Sequence, residues 1–105
     1  AKKDYMMAIE LNPSSFGANY NLGALYFNAA AKKIDKANAT SNNNTYRKLK
    51  KEAELLFAKA LPFMEAAHSL DANDENTMIS LKQLYYRNGD YAKSEEIKQK
   101  LESLK

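Results

Sequence analysis

The chain has 105 residues, of which 45% are hydrophobic, so it can form one domain with a modest core. It has no cysteine, which excludes disulfide bonds and cysteine-based metal sites. The net charge of +3 is too small to indicate nucleic-acid binding by itself, and no apolar run reaches the ~20 residues of a transmembrane helix. Few glycines and prolines, with abundant Ala, Leu, Lys and Glu, favour helices.

The first predicted helix covers roughly residues 2–11 and places Tyr5, Ala8 and Leu11 on one face. In the repeat described below, this helix corresponds to the second of the two helices of a repeat, and the first helix of that repeat is absent. We therefore expect the chain to be a fragment of a longer protein with similar units upstream. A natural N-terminal capping helix is the alternative. No targeting segment is visible, so the compartment, cytoplasmic or periplasmic, stays open.

The second and third predicted helices form a long hairpin. Apolar residues recur every three or four positions from Tyr46 to Leu70, and a matching stripe runs from Leu22 to Ala37. A turn at residues 41–44 would place the two stripes face to face. This arrangement predicts three opposed pairs: Ile34 with Leu49, Ala30 with Ala53, and Tyr26 with Phe57. Disorder is expected only at the very polar tip, residues 38–45.

Helix ends and one bend can also be predicted. Pro62 removes a backbone donor inside the third helix, which predicts a kink near residues 58–62. The pairs Ser14–Ser15 and Asn73–Asp74 offer N-caps for the helices that follow them. The run 88–91, Asn-Gly-Asp-Tyr, predicts a tight turn between the last two helices.

The chain is internally repetitive. Residues 8–13, Ala-Ile-Glu-Leu-Asn-Pro, return as residues 67–72, Ala-His-Ser-Leu-Asp-Ala. Leu70 and Leu104 are 34 positions apart, whereas Leu11 and Leu70 are 59 apart, so the middle copy holds 25 extra residues. Recurrence at a fixed period of this length indicates a helical repeat array.

The repeated residues resemble those of the tetratricopeptide repeat (TPR) family. Leu22-Gly23 with Tyr26, the turn at 88–91, the small Ser94 and the closing Pro13 match its pattern. Asn19 stands where the family usually has Trp, Ala72 replaces a closing proline, and Lys82 replaces a small residue. The resemblance covers nearly the whole chain.

The resemblance implies an all-α, TPR-like array of helical hairpins with about five helices, two of them extended. One domain, 1–105, would then comprise the second helix of an incomplete repeat (1–13), a repeat with an inserted long hairpin (14–72) and a C-terminal repeat (73–105).

A repeat array of this family implies a non-enzymatic scaffold or peptide-binding module, because the first helix of each repeat lines a concave face. The groove positions are then Gly17, Tyr20, Ala24, Phe27 and Asn28 in the middle repeat and Asn76, Ile79, Gln83, Tyr86 and Arg87 in the last. Tyr20 and Phe27 could instead pack against an extended neighbouring helix. The carboxylate clamp of some TPR domains is not expected, since Asn76 and Ser80 replace its basic pair.

The hairpin tip is strongly basic. Residues 32–51 contain one acid, Asp35, and seven cations: Lys32, Lys33, Lys36, Arg47, Lys48, Lys50 and Lys51. The tip therefore carries +6 and the rest of the chain −3. An anion-binding surface is one hypothesis, for nucleic acid, an acidic protein or a membrane. An ordinary solvated pair of helix faces is the other, and the absence of interleaved aromatic residues makes nucleic acid the less favoured partner.

No catalytic or metal-binding pattern is present in the sequence. His68 is the only histidine and has no second ligand near it in sequence. We therefore expect no enzyme activity, cofactor or metal. A third hypothesis is a homo-oligomer in which the exposed first helix pairs between chains.

Overall fold

A computed structural model of the chain describes residues 2–104, which form five α-helices and no strands. The helices are α1 (Lys2–Leu11), α2 (Phe16–Ala39), α3 (Asn43–Leu70), α4 (Glu75–Arg87) and α5 (Tyr91–Ser103). The prediction of an all-α fold with five helices, two of them extended, is confirmed. Helices adjacent in sequence pack on one another, and the contact between α2 and α3 is by far the largest.

Side-chain caps fix where three of the helices begin. Ser15 Oγ accepts a hydrogen bond from the backbone N–H of Ala18, and Asp74 Oδ2 accepts one from Thr77. These two caps belong to the residue pairs that the sequence singled out. Asn42 caps α3 in the same way by accepting from the N–H of Thr45. Each cap satisfies a backbone donor that the first turn leaves without a partner.

The predicted turn between α4 and α5 is also present. Gly89 has φ +82°, a left-handed conformation that glycine adopts without steric cost. The N–H of Gly89 bonds to the carbonyl of Tyr86, and the N–H of Asp90 bonds to that of Tyr85. This pair of bonds is a Schellman motif, which ends α4 sharply and turns the chain back into α5.

The long hairpin is more regular than predicted. Helix α2 continues to Ala39 and α3 begins at Asn43, so three residues connect them where a disordered tip over residues 38–45 was expected. Asn42 explains the difference, because its cap allows α3 to start within the polar run. Helix α3 also continues without interruption through Pro62. The kink near that residue stays a prediction.

Aromatic rings interlock along the contact between the two long helices. Phe57 packs edge-on against Phe27, at 5.3 Å between ring centroids, and Tyr26 stacks on Phe63 at 5.9 Å. Tyr26 and Phe57 belong to the same buried core, and their direct opposition stays a prediction. Ala30 and Ala53 are both fully buried in the same core, as their predicted pairing requires.

The core lies along the α2–α3 seam and continues to α4 and α5. Leu22, Met64, Met78 and Leu81 are among its fully buried residues. The molecule measures 42 × 34 × 19 Å, so its short dimension is about two helix layers. Helix α1 covers one end of α2 and leaves Met6, Met7 and Leu11 45%, 54% and 85% exposed.

Candidate functional site

A groove of about 900 Å³ lies where the middle of α3 meets the end of α4 and the first half of α5. The Schellman turn at Gly89 shapes this groove, because the turn brings Tyr91 back beside the last turn of α4. Its lining residues on α3 are Glu54, Phe57, Ala58 and Leu61; on α4 and the turn, Lys82, Gln83, Leu84, Tyr86, Arg87 and Asn88; and on α5, Tyr91, Ser94, Glu95 and Lys98.

An arginine stacked on a phenylalanine forms one side of this groove. The guanidinium carbon of Arg87 lies 4.4 Å from the ring centroid of Phe57. Phe57 is only 5% exposed and is itself held edge-on by Phe27. Stacking on a fixed ring holds the guanidinium in place while its N–H groups remain available to a ligand.

Two tyrosines form the rim. Tyr86 and Tyr91 meet edge to face with 5.1 Å between ring centroids, and they are 64% and 62% exposed. Because the pair spans the α4–α5 turn, each ring restricts the motion of the other. Exposed, rigid aromatic area of this kind costs little conformational entropy when a ligand covers it.

Polar bonds hold the three helices of the groove together. The Tyr85 hydroxyl donates to Glu65 Oε2 at 2.7 Å and joins α4 to α3. The Ser94 hydroxyl donates to the Lys82 carbonyl at 2.9 Å and joins α5 to α4. Burial, followed by the hydrogen bond to Glu65, raises the pKa of Tyr85 well above its usual value near 10.

Charges of both signs surround the groove. Its lining contains three cations (Lys82, Arg87, Lys98) and two carboxylates (Glu54, Glu95), together with the amides of Gln83 and Asn88. This mixture can donate and accept hydrogen bonds along a polar backbone.

Three of the sequence-predicted groove residues, Gln83, Tyr86 and Arg87, come together in this groove. The other predicted positions do not line it: Gly17, Tyr20, Ala24, Phe27 and Asn28 on α2, and Asn76 and Ile79 at the start of α4. Tyr20 stacks on Phe16 at 5.7 Å, and Phe27 supports Phe57 from within the α2–α3 interface. A concave face that includes these α2 positions stays a prediction.

Several lining residues were missed by sequence reasoning. Phe57 was assigned to the hairpin core, and Tyr91 was considered only as part of a turn. The useful pattern was the spacing of Tyr86 and Tyr91, which are five residues apart across an Asn-Gly turn. A turn of that kind brings its flanking residues close together.

The basic tip, residues 32–51, lies at the opposite end of α3 from Leu70. All of its cations are exposed except Lys33, which is partly buried and lies 3.8 Å from Glu52 across the hairpin. Lys50 lies over the ring of Tyr46, with its Nζ 5.8 Å from the centroid. The remaining cations of the predicted tip are exposed: Lys32, Lys36, Arg47, Lys48 and Lys51.

His68 lies in the last turn of α3, and its Nδ1 is buried without a hydrogen-bond partner. Desolvation, followed by the positive charge of Lys100, lowers the pKa of the imidazole below 6.5. Within residues 2–104, no three His, Asp or Glu side chains converge in a way that could hold a metal ion. None of the helices in the same range is both long and apolar enough to cross a bilayer.

Comparison with known proteins gave no match: no family model, no curated protein and no solved structure is significantly similar to this chain.

Proposed function

We propose that this chain is a non-enzymatic protein-interaction module of the TPR type, and that the groove between α3, α4 and α5 binds a peptide segment of a partner protein. The 34-residue recurrence in the sequence and the series of sequentially packed helical hairpins support the architectural part of this proposal. The composition of the groove supports the functional part.

The observation that carries the proposal is the cluster of Tyr86, Tyr91 and Arg87. Tyrosine and arginine are the residue types that dominate binding energy at protein interfaces, together with tryptophan. Here two of these side chains are exposed aromatic rings, and the third is a guanidinium already oriented by Phe57. A ligand would find these groups preorganised, which lowers the entropic cost of association.

The lining favours a peptide with both apolar and polar groups. An apolar side chain would cover the Tyr86–Tyr91 pair, and Leu61 extends the apolar area on the α3 side. The amides of Gln83 and Asn88 are suited to the backbone of an extended segment, because an amide group can both donate and accept.

A direct test uses peptides selected from a random library on the immobilised chain. The double variant Tyr86→Ala with Arg87→Ala should weaken the selected peptides by at least tenfold. Loss of two central interface side chains costs about 2 kcal/mol or more in comparable interfaces. Binding is measured by isothermal titration calorimetry.

The chain contains a matched control. Tyr46-Arg47 is the same dipeptide at an exposed position near the start of α3, outside the groove. Tyr46→Ala with Arg47→Ala should leave peptide affinity within about twofold, since nearly neutral surface changes are the rule away from an interface. Equal loss in both double variants, or no loss in either, would show that the groove is not the binding site.

A further inference from the structure

The basic tip has a charge distribution that the peptide groove does not use. The tip has a net charge of +6, whereas the rest of the chain has a net charge of −3. Positive charge is therefore concentrated in this part of the hairpin. Lys32, Lys36, Lys48 and Lys51 are exposed within about two helical turns of its end. The Lys33–Glu52 ion pair joins the two helices across the hairpin.

The cations lie on both helices of the tip. Lys48 lies one turn before Glu52, and Lys36 lies one turn after Lys33, so these lysines share the side marked by the Lys33–Glu52 pair. Arg47, Lys50 and Lys51 are three and four residues apart, and Lys51 is also three residues from Lys48, so the four cations of α3 form one broad band on its surface. Successive helix positions differ by about 100°, which separates Arg47 from Lys48.

The tip is also a blunt end only two helices thick. The groove shared with α4 and α5 reaches no nearer to it along α3 than Glu54. Residues 41–48 are all exposed. Between the helices, Ala30, Ala37 and Ala53 are buried in direct packing, so no channel opens between α2 and α3 at this end.

We propose that this tip binds, end-on, to the surface of a bilayer that contains anionic phospholipids. A flat anionic surface can attract the cations of both helices at once, and each lysine or arginine near such a surface contributes to binding. The connecting residues Thr40, Ser41 and Asn42 are polar, so the contact is electrostatic and does not require insertion.

The polarity of the molecule suits this geometry. Glu52 adjoins the tip and is paired there with Lys33, and the next acid along α3, Glu54, lies about 9 Å of helix beyond Lys48. The Debye length is about 8 Å at physiological ionic strength, so the acids of the groove are largely screened from the surface when the tip touches it. A nucleic acid is less well matched, because the tip has neither a groove to follow a strand nor a row of aromatic rings for stacking.

The test is co-sedimentation of the whole chain with vesicles of phosphatidylcholine alone and with vesicles that also contain phosphatidylserine. Binding is expected only to the anionic vesicles and should be reversed by high salt. The double variant Lys48→Gln with Lys51→Gln should lower the partition coefficient by roughly tenfold to thirtyfold, about fivefold for each charge removed.

The matched control is Lys93→Gln with Lys100→Gln, which removes the same charge from exposed positions on α5 that do not line the groove. Lys100 lies beside Ala72 and Asn73, at the end of α3 away from the tip. This control should keep binding within about twofold. Equal losses in the two double variants, or binding to neutral vesicles, would overturn the proposal. Tighter binding to a DNA duplex than to anionic vesicles at the same salt would also overturn it and assign the tip to nucleic acid.

Discussion

His68 illustrates how one residue can make stability depend on pH. Its buried Nδ1 has no partner, and desolvation and Lys100 both lower its pKa below 6.5. The folded state therefore favours the neutral ring, while the unfolded chain binds a proton more readily. The stabilising contribution is complete above pH 6.5 and is lost as the pH falls from there through the lower folded-state pKa.

We therefore predict that the melting temperature falls when the pH is lowered from about 7.5 to about 5.5, a range in which Asp and Glu remain mostly charged. In His68→Gln this fall should be absent or much smaller, because glutamine does not titrate. Differential scanning calorimetry of the unchanged chain and of His68→Gln at several pH values measures the two melting temperatures. Parallel pH profiles would mean that His68 is as solvated in the folded state as in the unfolded one.

The sequence predicted the residues that cap helix ends better than it predicted the roles of buried polar residues. Ser15 and Asp74 could be chosen as caps because their side chains accept bonds from the first turn of a helix wherever it lies. Asn19 could not be understood from sequence. It is 3% exposed, and its Nδ2 donates to the carbonyls of Pro13 and Ser15, so it ties α2 to the preceding loop. That role depends on the path of the loop, which no local pattern specifies.

At the level of elements, the α2–α3 contact leaves no room for a side chain at Gly23. A methyl group built on Gly23 would lie 3.0 Å from Cγ of Met64 and 3.2 Å from its Sδ and Cε. Met64 is fully buried and belongs to the central core, so little free space is available for it to move. The missing side chain at Gly23 is therefore what allows the two long helices to approach.

We predict that Gly23→Ala destabilises the fold by about 1 kcal/mol. Overpacking costs about 1–3 kcal/mol, and the higher helix propensity of alanine offsets at most about 1 kcal/mol of it. Gly17→Ala is the control: nothing lies within 4 Å of its added methyl group, so it should be neutral or stabilise by about 0.5 kcal/mol. Urea denaturation of both variants gives the comparison. If both substitutions stabilised the fold equally, the Met64 side chain would be able to move aside at no cost in folding free energy, which would contradict the prediction.

The packing register explains why the hairpin was predicted only approximately. An apolar stripe with three- and four-residue spacing repeats at every turn, so a shift along the helix axis preserves the stripe. The sequence therefore predicted two facing stripes, and the structure has them. It could not decide which rings meet, because that depends on the fit of Phe27 to Phe57, of Tyr26 to Phe63, and of Met64 to Gly23.

At the scale of the whole molecule, the groove and the tip are separate surfaces with different chemistry. The groove combines exposed aromatic rings with charges of both signs, whereas the tip carries cations alone apart from Asp35. A basic segment is visible in composition, so the tip was predictable. The groove was only half predictable, because α3 and α5 supply residues such as Phe57, Tyr91 and Glu95, and their convergence depends on how the helix pairs pack.

The central claim is that a peptide binds between α3, α4 and α5. The most direct measurement is the change in backbone amide NMR shifts when a library-selected peptide is titrated into the isotope-labelled chain. We predict that the largest changes fall in residues 54–61, 82–88 and 91–98, with small changes on α1 and at the tip. Changes centred on residues 17–28 of α2, or on the tip, would contradict the account and place the binding surface elsewhere.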